Sequence, residues 1–151
     1  MTIVKALKDY ITGLQHIGHI VSDLDAAVAS FCRLYGVDES TVRRVPNSPD
    51  EDAPTLFAFI TVGDTEFELI QPQSDEACAL LNASPSGGAG INHVAWRVSD
   101  IDACVGLLAE QGVAPGHVTP DGVVDTGRSR IVYLNPGDSG GILIELVEIR
   151  D

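Results

Sequence analysis

Two stretches of the chain share one pattern of apolar and polar positions. Residues 13–21, GLQHIGHIV, and 91–98, INHVAWRV, are rich in β-branched and aromatic residues and read as strands. Side chains alternate along a strand. Ile17, His19 and Val21 therefore share one face, with Leu14, His16 and Gly18 on the other; Val94, Trp96 and Val98 share a face, with His93 opposite. Each strand runs into Ser-Asp-x-Asp, and the apolar positions then change to helical spacing, at Leu24, Ala27, Val28 and Phe31 and again at Ile101, Cys104, Val105 and Leu108. Ser22 and Ser99 are the expected N-caps, each with an Asp three residues on in a start like a capping box. Gly36 and Gly112 are the expected C-caps. Three strands are expected after the first helix, near 41–46, 55–62 and 65–71. Three more are expected after the second, near 113–118, 129–135 and 141–149.

The two patterns are a repeat. HIGHIVSDLDAAV at 16–28 and HVAWRVSDIDACV at 93–105 lie 77 residues apart and agree at seven of thirteen positions. The same offset brings FEL at 67–69 onto IEL at 144–146, so Glu68 matches Glu145. Two copies of a βαβββ module, about 14–72 and 91–149, account for this. Residues 73–90 form the connection, a short helix or turn followed by a Gly-rich stretch. The expected fold is α+β: tandem βαβββ modules forming a curved, mostly antiparallel eight-stranded sheet with the helices outside, in a single domain over residues 1–151.

The helix of each module should cover the more apolar sheet face, which leaves His16, Glu68, His93 and Glu145 on the other. A Glu between apolar neighbours in mid-strand is costly without a partner. Two such residues, at the same offset as two histidines, point to one metal site. Two imidazoles and two carboxylates suit one divalent ion such as Co, Ni, Zn, Mn or Fe. Such an ion polarises a carbonyl. His19, aligned with Trp96, belongs to the core, and His117, beside a Pro/Gly loop, to the surface. Gln71 lies on the strand face opposite Glu68. Tyr133, at the same offset from Leu56, is a candidate for lining a cavity.

Composition narrows the function further. Nine basic against 22 acidic residues give a net charge of −13, which disfavours nucleic acid and anionic membrane surfaces as partners. The basic residues able to meet an anionic ligand are Arg43–Arg44 and Arg128/Arg130. No apolar run approaches the roughly 20 residues of a membrane span. The three cysteines include no CxxC pair, which argues against a disulfide framework or a thiolate zinc site. The N-terminal stretch has no secretory pattern. A cytoplasmic homodimer acting on a small molecule is expected.

On the stretches HIG with VSDLDAA, FELIQP, INHVAWRVSDIDA and GGILIELVE, the chain resembles the vicinal oxygen chelate superfamily (glyoxalase, bleomycin-resistance and dioxygenase proteins), from about Leu14 to Glu148. Within it the chain is most similar to the methylmalonyl-CoA epimerases. The resemblance implies metal ligation by His16, Glu68, His93 and Glu145, and a metal-dependent isomerase that abstracts a proton α to a carbonyl of a small molecule, with an acyl-CoA as the candidate substrate. It also exposes departures. The third strand, Leu56 to Ile60, lacks the carboxylate that such epimerases often place there, and Asn135-Pro136-Gly137 stands where His-Pro-Lys is frequent. Glu145 is then the expected catalytic base, and Arg128, Arg130 and Tyr133 are candidates for binding substrate. Two alternatives stay open: a glyoxalase I-like lyase acting on a hemithioacetal, and a resistance-type protein that binds a small molecule.

Overall fold

The computed structural model of the chain describes residues 5–150. Eight strands and three helices follow the order βαβββ, α, βαβββ. The chain packs as two compact units. One comprises residues 16–93; the other joins the segment up to Gln15 to Val94 and everything beyond.

In the unit of residues 16–93, β1 (Ile11–Ile20, which starts in the other unit) leads into α1 (Leu24–Tyr35), β2 (Arg43–Val45), β3 (Thr55–Val62) and β4 (Thr65–Pro72), with α2 (Asp75–Asn82) next. The strand order is β2-β3-β4-β1. The β3–β4 hairpin is antiparallel, and β4 then lies parallel to β1 with Gly18 beside Glu68. The helix α1 covers one face through Leu24, Val28 and Cys32 against Ala58, Ile60 and Leu69, all buried. Removing apolar surface of this kind from water contributes roughly 25 cal/mol per Å². Glu68 and Phe59, paired across the hairpin, share the face away from α1.

The other unit repeats the plan. β5 (Gly90–Val98) leads into α3 (Ile101–Glu110), β6 (Val124–Asp125), β7 (Ser129–Tyr133) and β8 (Ile144–Ile149), in the order β5-β8-β7-β6. The parallel pair β5/β8 keeps the register of β1/β4, since Val94 faces Ile144 as Ile17 faces Phe67. The helix α3 packs Ile101, Cys104 and Leu108 against Val132 and Leu146. Burial pushes the Cys104 thiol up to about 11, as befits a packing cysteine rather than a reactive one.

Several expectations are corrected. The N-caps are Asp23 and Asp100, one residue after the serines; their carboxylates accept from Ala26 N and Ala103 N at 3.1 and 3.0 Å. An Asp reaches the third amide as well as a Ser does, and its charge also suits the helix N-terminus. Gly36 is a left-handed C-cap, whereas α3 ends on Gln111 and Gly112 supplies the left-handed residue (φ 80°) just after it. The strand expected at 113–118 does not form. Pro115 has no amide to donate and His117 turns to φ 57°, so only a single bridge, Pro115 to Leu134, remains and the strand falls at Val124–Asp125. His117 is half-buried against the Tyr133 ring, 6.1 Å between centroids, rather than on the surface.

The repeat also slips on its third strand. Tyr133 pairs with Glu145 as Phe59 pairs with Glu68. The counterpart of Tyr133 is therefore Phe59, not Leu56, because the β7–β8 connection is longer than the tight β3–β4 turn.

Candidate metal centre

His16, Glu68 and His93 come together in the unit of residues 16–93, each buried, with one donor atom from each lying within 4.8 Å of the others. The two Nε2 atoms are 3.1 Å apart. Glu68 Oε2 is 3.5 Å from His16 Nε2, and Oε1 is 3.8 Å from His93 Nε2. Bonds of about 2.0–2.2 Å to a divalent ion put neighbouring donors roughly 3 Å apart. A borderline donor set converging at that spacing, with a carboxylate to offset charge, fits a divalent metal ion.

Local sequence explains the placement. Period-2 alternation puts His16 and Gly18 on one face of β1, and the parallel register sets Gly18 beside Glu68. Gly18 is required by His93. A Cβ there would stand 2.2 Å from His93 Cε1 and 2.4 Å from Nδ1, so the imidazole occupies the space that any other residue would fill. The Gly of the HIG motif thus seats His93, a role the sequence pattern alone did not disclose.

His93 is held from behind. Its Nδ1 lies 2.8 Å from Asn92 Oδ1, and Asn92 Nδ2 donates to Ser84 Oγ at 2.9 Å. Both Asn92 and Ser84 are buried. On the same sheet face as Glu68, Phe57 and Phe59 stack at 6.5 Å, and the Arg43 guanidinium lies 4.0 Å over the Phe59 ring. Two phenyl rings, and no carboxylate, therefore occupy this face of β3. Of the two neighbouring arginines, Arg43 is on this face, while Arg44 reaches Asp25 of α1 at 2.8 Å.

The other expected site residues belong to the second unit. Glu145 is on β8, 4% exposed, with Tyr133 as its cross-strand neighbour. Arg130 points to the opposite face of β7, where both its amino groups meet the Asp102 carboxylate of α3 at 2.8 and 2.9 Å. That pairing holds the Asp102 carboxyl below its usual range. Arg128 is exposed in the turn before β7. Gln71 caps α1 by accepting from Leu24 N at 2.7 Å. His19 packs edge-on to Phe31 at 5.7 Å, and its pKa is lowered by burial.

Fold and site together define a class, and sequence comparison agrees: a family model for the Glyoxalase/Bleomycin resistance protein/Dioxygenase superfamily matches residues 15–133, and the chain belongs to that superfamily. Within it the similarity runs to epimerases. The chain is 30% identical over 140 residues to an ethylmalonyl-CoA/methylmalonyl-CoA epimerase of Cereibacter sphaeroides, covering 90% of this chain and 97% of the relative. The crystal structure of methylmalonyl-CoA epimerase from Mycobacterium tuberculosis is similar at 31% identity and a TM-score of 0.72, covering 99% of this chain and 94% of that one. A methylmalonyl-CoA epimerase solved in complex with methylmalonyl-CoA and NH4+ matches at 26% identity and a TM-score of 0.71, covering 92% of this chain and 95% of the other. The chain is accordingly an epimerase-like enzyme.

Proposed function

We propose that the chain epimerises a short branched acyl-CoA of the methylmalonyl-CoA type, with a divalent metal ion, by moving the proton α to the thioester carbonyl. The observation that carries this reading is the buried convergence of His16, Glu68 and His93 within 4.8 Å. The substrate class comes from the epimerases to which the chain is similar.

His16, Glu68 and His93 would hold the ion, and Glu145 is proposed as the fourth ligand because it is the repeat counterpart of Glu68. The bound ion supplies Lewis-acid polarisation of the carbonyl, which acidifies the adjacent C–H. Glu145 takes that proton as general base. With β3 offering Phe57 and Phe59 instead of an acid, Tyr133, across the ladder from Glu145, is proposed to return a proton. The two phenyl rings exclude water from the reacting face, and the exposed Arg43 offers the cation for an anionic end of the substrate. The reading extends to a homodimer in the cytoplasm, of which sedimentation equilibrium tests the assembly.

Proton NMR in heavy water with methylmalonyl-CoA tests the activity. Metal-loaded protein is expected to place deuterium at the α-carbon, and His93→Ala to lose both exchange and bound metal. Glu145→Gln should cut turnover by about 100-fold or more while keeping most of the metal, if general-base catalysis is the main loss; Glu68→Gln should be milder. Metal-loaded protein that exchanges no α-proton, yet isomerises a hemithioacetal, would move the assignment to the glyoxalase-like alternative.

A further inference from the structure

The segment between the modules reaches the metal centre through hydrogen bonds. Ser84 follows α2, and its Oγ is 2.5 Å from Leu81 O, a carbonyl that can only accept. The single hydroxyl proton is spent there, so Oγ can only accept from Asn92. This orients the Asn92 amide: Nδ2 donates to Ser84 Oγ at 2.9 Å, and Oδ1 is left to face His93 Nδ1 at 2.8 Å. The reversed amide would set two acceptors, Oδ1 and the Ser84 Oγ, against each other. His93 must then carry its proton on Nδ1, with the lone pair on Nε2 directed at Glu68 and His16. All three residues are at most 6% exposed, so no bulk water competes for these bonds.

We propose that Asn92, aligned by Ser84, is a positioning residue that sets the tautomer and ring plane of His93 for metal binding. The connecting segment is thereby part of the metal centre and not a passive linker. For its metal-binding half this rests on the function proposed above; the tautomer half does not. A ligand imidazole whose second nitrogen loses its acceptor typically binds metal about 10- to 100-fold more weakly.

Long-range 1H–15N correlation on metal-free, histidine-labelled protein reads the tautomer directly, and cobalt(II) titration followed by visible absorption reads affinity. Wild-type His93 is expected to show the Nδ1–H form. Asn92→Leu should give mixed tautomers and a cobalt Kd about 10- to 100-fold weaker. Asn92→Asp, which keeps an acceptor toward Nδ1, should retain the tautomer and most of the affinity. Ser84→Ala removes only a hydroxyl, so it serves even where Asn92→Leu does not fold, and should shift both readouts in the direction of Asn92→Leu. An Nε2–H tautomer in the wild type overturns the proposal, as does an Asn92→Leu or Ser84→Ala protein with unchanged tautomer and a cobalt Kd within two-fold of wild type. A wild type with the Nδ1–H tautomer that binds no cobalt upholds the positioning role and overturns the metal-dependent reading instead.

Discussion

At the scale of single residues, Gly18 shows how much of the site depends on a missing atom. Its repeat counterpart, Ala95, carries a Cβ at the same register of the parallel pair. Gly18 cannot, because His93 Cε1 would be 2.2 Å away. The ring is 2% exposed and hydrogen-bonded on its far side, so it has little freedom to move aside. Gly18→Ala should therefore cost about 1–3 kcal/mol as overpacking of a filled interior. It should also lower metal affinity, since His93 must tilt away from Glu68. Thermal denaturation and cobalt titration check the two effects; a variant unchanged in both would mean that the ring relaxes freely. The convergence of His16, Glu68 and His93 was legible in the sequence through alternation and the shared offset. Gly18 and Asn92 were not singled out, because their roles depend on what lies across the neighbouring strand.

At the scale of elements, each unit locks its helix to its last strand in the same way. Gln71 on β4 accepts from Leu24 N at 2.7 Å, and Glu148 on β8 accepts from Ile101 N at 3.0 Å. The two residues are themselves 77 apart, as are the two amides. A strand side chain thus satisfies a first-turn amide that the N-cap aspartate leaves open. Removing a buried or half-buried partner of a helix-end donor costs typically about 1 kcal/mol. Gln71→Ala and Glu148→Ala should each lower Tm by roughly 2–4 °C in a chain of this size. The Glu148 variant should lose more at low ionic strength, because only that side chain carries charge, toward the helix N-terminus and toward Arg130 at 3.7 Å. Differential scanning calorimetry at two salt concentrations distinguishes them; equal losses at both would leave the dipole contribution without support. The slip that matches Tyr133 to Phe59 belongs to this scale too. A one-dimensional offset cannot reveal how many residues a connection between two strands absorbs.

At the scale of the whole molecule, the charge of −13 acts on every folded element at once. Like-charge repulsion opposes the compact state, and salt screens it over about 8–10 Å at moderate ionic strength. Raising sodium chloride from low concentration to 0.3 M should therefore stabilise the fold, by on the order of 1 kcal/mol or about 2–4 °C in Tm. A Tm that falls with salt would show instead that the surface ion pairs, Arg44–Asp25 and Arg130–Asp102 among them, outweigh the net repulsion.

The sequence by itself determined the repeated βαβββ order, the two helix faces and which sheet face carries His16, Glu68 and His93. These follow from local periodicity and from a duplication that any fold of the chain must honour. It also disclosed the missing acid on β3. Only the tertiary structure decided which atoms meet. The N-caps shifted by one residue because Ser and Asp are both good caps, and only the packed start of the helix selects between them. The strand expected at 113–118 failed because proline and a left-handed His117 cannot continue a ladder. His93 found its place through Gly18, and its tautomer through Asn92 and Ser84, by contacts across strands and across a connecting segment. Local pattern carries no information about such contacts, because they exist only once the strands are paired.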